Sequence, residues 1–286
     1  MPVITDSLFS VEQVDLHCHS FFSDGLYSPE QLARLMYDAG VRLWSLTDHD
    51  TIDGLDRAQQ ASDELGMTLV QGVELSCRYL QGQVHIVGLG PQLSSVEFAP
   101  LLQQLARARV LRAEQIAQRL QAKGLPDLLA DAQALAGLGQ IGRPHFAKAM
   151  VDRHLVRDTG KAFQLWLGAG KAGDVRAHWP SMDEVLPLMR GCNLVPVLAH
   201  PHRLGLTLTK ARQLLRRFAA LGGKAVELAC AGIDPQWQIN LEREALSLGL
   251  SYSRASDFHG TSPWVKPGQA QDWSARIPAV WQVEHI

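Results

Sequence analysis

Short apolar runs, each closed by polar or turn-forming residues, mark both ends of the chain and predict strands. They are Val14–His17, Leu43–Thr47, Thr68–Leu75, Gln83–Leu89, Leu194–Ala199, Lys224–Leu228 and Leu250–Ala255. Helical patterns lie between most of them. Ser28-Pro29-Glu30 supplies an N-cap and a proline at the first helical position, and opens a helix that runs to about Ala39 and stops at Gly40. Further helices are expected over 54–65, ended by Gly66, from Ser181 to about 190, and from Asp234 or Pro235 to 248, ended by Gly249. This alternation predicts an α/β fold with a largely parallel sheet, closed into a (β/α) barrel of about seven strands. The run at 68–75 and the one at 83–89 are too close for a helical crossover, so that pair is expected to be a hairpin.

Residues 99–170 break the rhythm. They are too long for one crossover and rich in Ala, Leu, Gln and Arg. Leu101, Leu105, Ala108, Leu111, Ile116 and Leu120 recur at near-helical spacing, and further helices are predicted at 127–136, at 144–154 with Pro144 in the first position, and at 159–167. The domain reading is a barrel built from 12–98 and 171–286, with 99–170 as a helical insert subdomain.

Composition narrows the classes. The 286 residues are 46% hydrophobic and 20% charged, as in a globular protein with a sizeable core. Twenty-seven Lys+Arg against 29 Asp+Glu leave a formal charge of -2, which excludes a strongly basic nucleic-acid coat but not a local basic pocket. No apolar run reaches the ~18 residues of a membrane span, and Met1 to Phe9 has neither the basic nor the apolar part of a secretory signal. Cys18, Cys77, Cys192 and Cys230 are scattered without C-x-x-C spacing. They read as free thiols in a reducing cytoplasm, not as a disulfide frame or a thiolate zinc site.

The chemistry is in the strand ends. With 11 His, one H-x-H triplet is expected by chance roughly 0.4 times. This chain has two, His17-Cys18-His19 and His200-Pro201-His202, together with Asp48-His49-Asp50 and Asp257-Phe258-His259. These residues and Glu74 fall at or near the C-terminal ends of strands, the rim where barrel active sites assemble. Period-2 geometry turns His17 and His19 the same way and Cys18 the other way, into packing. Imidazole with carboxylate is a donor set for Zn, Mn or Fe, and Glu74 has two oxygens with which to bridge two ions. Some residues carry plainer readings when taken alone. His85, inside an apolar strand, reads as a satisfied core histidine; Asp24, before Gly25, as a turn residue; Asp48 and Asp50 as helix caps. Glu227 reads equally as a buried acid or a site residue. His145, His154, His178 and His285 read as surface or packing residues.

The ordered set Val14-Asp15-Leu16-His17-Cys18-His19-Ser20 with Ser23-Asp24-Gly25, Ser45-Leu46-Thr47-Asp48-His49-Asp50-Thr51, Gly72-Val73-Glu74-Leu75-Ser76, the His85 strand, Ala199-His200-Pro201 and Ser256-Asp257-Phe258-His259 resembles the PHP (polymerase and histidinol phosphatase) superfamily. The resemblance covers 14–91 and 194–260. It implies a distorted (β/α)7 barrel of the PHP type with a helical insert, and three divalent ions, Mn²⁺ favoured, with Zn²⁺ or Fe²⁺ as alternatives. His17, His19, Glu74 and Asp257 would hold the first ion; Glu74, His85 and His200 the second, with Glu74 bridging; Asp24, His49 and His259 the third. Asp24 and His85 thereby change from plain residues to ligands.

Within the insert, Ile141-Gly142-Arg143-Pro144-His145-Phe146-Ala147-Lys148-Ala149-Met150, Gly160-Lys161-Ala162-Phe163 and Leu167-Gly168 resemble the subgroup that acts on 3′,5′-nucleotide bisphosphates and trims RNA 5′ ends. Arg143 at a helix start suits a phosphate, which it can grip with two parallel hydrogen bonds. His145, His202 and Arg203 are further candidate substrate contacts, and Lys171 and Arg176 lesser ones. The resulting expectation is a phosphatase taking the 3′-phosphate from pAp by attack of a metal-bound hydroxide. Glu74 and Asp257 would serve catalysis, and His202 or a bound water would be the acid. The rivals are a 5′→3′ exoribonuclease on short RNA, which shares the reacting centre, a histidinol phosphatase, an amidohydrolase, and a non-catalytic PHP module. The amidohydrolase usually needs a strand-end Lys that this chain lacks, and the non-catalytic module should have lost ligands. Neither a membrane nor an obligate protein partner is expected.

Overall fold

The computed structural model describes residues 9–80, 82–94, 96–260, 265–270, 275–284 and 286. The N-terminal stretch read for a secretory signal lies almost wholly outside them, as does His285. The first half runs β1 (Val14–Cys18), α1 (Pro29–Asp38), β2 (Leu43–Leu46), α2 (Leu55–Leu65), β3 (Thr68–Leu69), β4 (Gly72–Tyr79) and β5 (Gly82–Leu89). The insert follows with α3 (Ala99–Gln121), α4 (Leu129–Ala136), α5 (Arg143–Asp152) and the single turn α6 (Thr159–Ala162), which loosens into a π-helical turn at Phe163–Leu167. The remainder is α7 (Met182–Gly191), β6 (Val195–Leu198), α8 (Leu208–Ala220), β7 (Ala225–Cys230), α9 (Pro235–Ser247), β8 (Ser251–Ala255) and α10 (Val280–Val283).

Local chemistry sets most boundaries. Ser28 caps α1 by accepting from the Gln31 N–H, while the Gln31 side chain accepts from the Ser28 N–H. Gly66 ends α2 in the left-handed region, at φ 65°. Asp234 caps α9 through the Trp237 N–H at 2.8 Å. Two differences from the sequence reading stand out. Helix α5 starts at Arg143 on a Gly142 N-cap, so Pro144 occupies its second position. Helix α8, absent from that reading, is capped by Thr207 and buries Ala211, Leu214, Leu215 and Phe218, an i, i+3, i+4, i+7 face.

Strands β1, β2 and β3 pair in parallel, as do β6 with β7 and β7 with β8. The pair β4 and β5 forms the expected antiparallel hairpin, and β5 also meets β6 antiparallel. Only Val70 and Gln71 separate β3 from β4, so the two act as one bent strand and leave seven strand positions. The resulting sheets, β1–β3 and β4–β8, touch at both edges through the bridges His49↔Glu74 and Cys18↔Phe258. Backbone bonds reinforce the joins: Asp50 N to Glu74 O at 2.8 Å, His19 N to Phe258 O at 2.9 Å and Asp257 N to His17 O at 2.9 Å. The architecture is a distorted α/β barrel; most candidate ligands lie at or just beyond its strand ends, while Glu74 lies inside β4 and His85 inside β5. Strands β1, β2, β6, β7 and β8 are buried along their whole length, as sheets covered on both faces are.

The insert has an apolar cluster of its own, including Ile116, Leu120, Phe146, Met150 and Leu167. The first turns of α3 belong instead to the barrel core through Leu101, Leu105 and Ala108. A further tie joins Gln140 N–H to Phe22 O at 2.9 Å. The approach there requires glycine, since a Cβ on Gly139 would lie 2.3 Å from Phe21 O. All four cysteines are free and buried, and Cys18 packs with its Sγ on Ser45 O at 3.2 Å. Among the described residues no helix is long and apolar enough to cross a membrane.

Candidate metal centre

Glu74, completely buried, is the hub. Its Oε1 lies 2.8 Å from His200 Nε2 and 3.0 Å from His85 Nδ1. Its Oε2 lies 2.7 Å from His49 Nδ1 and 3.4 Å from the Nε2 atoms of both His17 and His19. Asp257 Oδ1 is 3.6 Å from His17 Nε2 and 3.3 Å from His19 Nε2. Asp24 Oδ1 is 3.2 Å from His259 Nε2, and its Oδ2 is 3.9 Å from His49 Nε2. All nine residues named from the resemblance therefore converge. The clusters compact enough for one ion are His17-His19-Asp257, His17-Glu74-His200, His49-Glu74-His85 and His19-Asp24-His49-His259. In this arrangement His49 faces Glu74 with one nitrogen and Asp24 with the other, and His19 stands beside two of the groups.

The donor set fits divalent cations. Several buried atoms here, Asp24 Oδ1, Glu74 Oε2 and His49 Nδ1, make no hydrogen bond although other polar atoms are close. Buried polar atoms are normally paired. Lone pairs that converge without bonding one another are arranged for a shared cation. The cations bound there would neutralise phosphoryl charge and lower the pKa of water.

Backbone strain accompanies the site. Asp50, His200 and Asp257 hold positive φ values of 57°, 26° and 53° without being glycine. Such conformations cost about 1–3 kcal/mol each and gather at functional sites. Two buried carboxylates, Asp48 after β2 and Asp15 in β1, secure the rest. Asp48 accepts from Ser20 N–H at 2.7 Å and from Ser23 Oγ at 2.6 Å, fixing the loop that presents Asp24. Asp15 accepts from Ser256 N–H at 3.0 Å and Gly268 N–H at 2.9 Å, fixing the approach to Asp257.

Four of the six rings are also held at their remote nitrogens. His17 Nδ1 meets Glu227, His19 Nδ1 meets Ser23 Oγ at 3.3 Å, His85 Nε2 meets the Gln83 amide at 2.7 Å, and His259 Nδ1 meets Asp257 O at 2.9 Å. These contacts aim the opposite nitrogens inward. Glu227 is the partner outside the nine ligands that the sequence itself marks, as a buried acid or a site residue. Its signal was an acid inside the apolar run of β7.

Among the protein groups themselves, charge is compensated within the cluster. Burial works against ionised Glu74, but His49, His85 and His17 outweigh it and hold the carboxyl well below its usual range. Burial also opposes a charged His259, yet Asp24 and Asp257 push it up to about 10. His19, buried beside His259 and His49, falls to about 3.

A cavity of about 520 Å³ opens on His85 and His200. Its wall includes Arg78, Arg112, Arg143, Arg176 and Arg203 and the carboxylate of Asp174. Burial, with Arg143 and Arg109 nearby, pushes Arg112 down to about 9, and its Nε donates to Val175 O at 3.0 Å. Arg143 donates to Leu167 O at 3.1 Å and stands 3.7 Å from Asp174. Arg203 pairs with Asp257. His202 turns toward Cys230, with Nδ1 3.6 Å from Sγ, and packs edge-on to Trp237; burial, with Arg203 and His200, lowers it to about 4. His145 closes the start of α5 by accepting from Gly142 N–H at 3.0 Å. Neither His202 nor His145 is among the described residues lining the cavity. Lys171, His154 and His178 are exposed.

The sequence pattern of the PHP domain matches residues 15–135. Over 95% of its length the chain is 35% identical to the 5′-3′ exoribonuclease of Haemophilus influenzae, covering 98% of that protein. It is 32% identical to the 3′,5′-nucleoside bisphosphate phosphatase of Chromobacterium violaceum, over 94% of this chain and 95% of the relative. A solved structure from Chromobacterium violaceum, described as an amidohydrolase with bound sulfate and no metal, superposes with a TM-score of 0.88 at 31% identity, covering 94% of this chain and 95% of the other. A structure from Bifidobacterium adolescentis, described as a metal-dependent phosphoesterase, superposes with a TM-score of 0.82 at 28% identity, covering 91% and 92%. With a barrel whose strand ends gather these imidazoles and carboxylates, and with full-length relatives on both sequence and structure, the chain belongs to the PHP family and is a phosphoesterase.

Proposed function

We propose that this phosphoesterase removes the 3′-phosphate from nucleoside 3′,5′-bisphosphates, converting pAp to AMP and phosphate. The observation that carries the reading is the arginine-walled cavity beside His85 and His200. A substrate with two separated anionic ends matches a site with two kinds of cationic ground, the metal centre and the guanidinium wall. The volume is within the range of small-ligand pockets. His17, His19, Glu74 and Asp257, then Glu74, His85 and His200, then Asp24, His49 and His259 would hold three ions. Mn²⁺ is preferred over Mg²⁺ because six of the nine donors are imidazoles. Glu74 and Asp257 orient the reacting phosphate by fixing that charge array. Arg143 takes the distal phosphate, with Arg203, His145 and His202 at the margins. Residues 99–170 act as the subdomain that roofs the cavity, and the four free thiols suit the cytoplasm.

A second reading is favoured by the Haemophilus relative's name: the same centre cuts the first phosphodiester of a short 5′-phosphorylated RNA. A 3′-phosphate and a 3′-phosphodiester present the same phosphorus. Phosphate release from pAp in Mn²⁺, against 5′-AMP as a control, tests the first reading; mononucleotide release from a 5′-phosphorylated oligoribonucleotide tests the second. No phosphate from pAp removes the first, whatever happens to RNA.

A further inference from the structure

Glu227 lies inside β7 and is 1% exposed. Both of its oxygens are committed to residues of the metal centre. Oε1 is 2.6 Å from His17 Nδ1, and Oε2 accepts the His200 backbone N–H at 2.7 Å. A carboxylate offers acceptors only, so the proton of the first contact resides on Nδ1 of His17. As a metal ligand the ring would be neutral, with its lone pair on Nε2. That atom is the one 3.0 Å from His19 Nε2, 3.4 Å from Glu74 and 3.6 Å from Asp257.

The second contact restrains a corner that needs restraint. His200 sits at φ 26° and ψ 54°, outside the comfortable regions for a side-chain-bearing residue. That conformation carries Nε2 of His200 to within 2.8 Å of Glu74 Oε1. The partners of the other rings are a hydroxyl at His19, an amide at His85 and a backbone carbonyl at His259. Among the described residues that hydrogen-bond these remote ring nitrogens, Glu227 is the carboxylate, and it serves two ligands at once.

We propose that Glu227 is a positioning residue that sets the metal affinity of this centre. Its carboxylate keeps the His17 lone pair on the metal side and clamps the His200 corner, while Glu227 itself touches neither metal nor substrate. The proposal rests on reading His17 and His200 as metal ligands.

The test is Glu227→Gln. Glutamine keeps the shape, but its amide has one acceptor and one donor group, so it cannot accept from both His17 Nδ1–H and His200 N–H. Mn²⁺ is titrated calorimetrically into metal-free protein, and thermal unfolding is followed on the same metal-free samples. The expected result is a ten- to hundredfold rise in the Mn²⁺ dissociation constant, with the unfolding temperature close to wild type. Glu227→Asp retains the charge but is too short to span both contacts, and should give an intermediate loss. Wild-type Mn²⁺ affinity in either variant overturns the proposal. So does a fall in unfolding temperature with no fall in affinity, which would make Glu227 a packing residue. If Glu227→Gln does not fold, Glu227→Asp decides by the same readout. Failure of the wild-type protein to bind Mn²⁺, Zn²⁺ or Fe²⁺ would be a different result and would remove the metal reading itself.

Discussion

Arg109, carried by helix α3 of the insert, places its Nε 2.6 Å from Asp50 Oδ2, and Asp50 directly follows His49. The other Asp50 oxygen accepts the Ser76 N–H at 2.6 Å, two residues beyond Glu74, and Arg109 Nη2 reaches Ser76 Oγ at 3.2 Å. One guanidinium thus ties the insert to the loop after β2 that presents His49 and to the strand β4 that carries Glu74. The Asp50 side chain is fully buried and that of Arg109 is 7% exposed. Removing one partner of such a pair strands a charge, at a cost of about 3–5 kcal/mol. Arg109→Ala should lose that much stability in urea unfolding and should also weaken Mn²⁺ binding. A loss below ~1 kcal/mol would show that water reaches Asp50 and that the tie is weak.

Metal removal should abolish turnover and also be visible without it. A ligand that binds only the native state at a hundred times its dissociation constant adds ~2.7 kcal/mol of stability. Chelated protein should therefore melt below Mn²⁺-loaded protein, by an amount that grows with Mn²⁺ concentration, and should release no phosphate from pAp. Full turnover in metal-free protein would contradict the metal reading.

Glu74→Gln replaces four lone-pair directions on two anionic oxygens with one neutral acceptor and an N–H₂ group facing imidazoles. Metal content should fall, and kcat/KM should drop by about a hundredfold or more, while circular dichroism stays that of the wild type. Wild-type turnover in this variant would reject Glu74 as the bridging ligand.

Much of the site was legible because its geometry is local. His17 and His19 turn the same way by period 2, and His49, His200 and Asp257 follow the ends of apolar runs, whereas Glu74, expected near a strand end, is the third residue of β4, which runs on to Tyr79. What escaped was set by contacts distant in sequence. Asp24 reads as a turn residue until Asp48 is seen holding its loop through Ser20 and Ser23, 28 and 25 residues away. His85 reads as core until β5 is seen pairing with both β4 and β6. The resemblance, not the residue pattern, singled out those two. Arg109 and Arg112 did leave a trace: both lie on the buried face of α3, among Ala108, Ala113 and Ile116, where a cation has to find an anion or carbonyl. In the fold, α8 was missed although Thr207 and the Ala211-Leu214-Leu215-Phe218 face carry a capped amphipathic pattern.

The choice of substrate should depend on Arg143. A bisphosphate can seat only one phosphate on the metals, so the other needs a cationic anchor. Arg143 lines the cavity that opens on His85 and His200, its side chain 30% exposed. Its guanidinium lies 6.0 Å over the Phe163 ring and is oriented by Leu167 O. Removing one charge-assisted phosphate contact costs on the order of 1.5–3 kcal/mol, about ten- to a hundredfold in kcat/KM. Arg143→Ala should therefore lose that much on pAp and little on 3′-AMP, which has no 5′-phosphate. Arg143→Lys keeps the charge but not the two-pronged geometry, and should recover part of the loss. An equal loss on both substrates would mean that Arg143 serves the fold through Leu167 and Asp174. The anchor would then be sought at Arg112, Arg176 or Arg203 on the same wall.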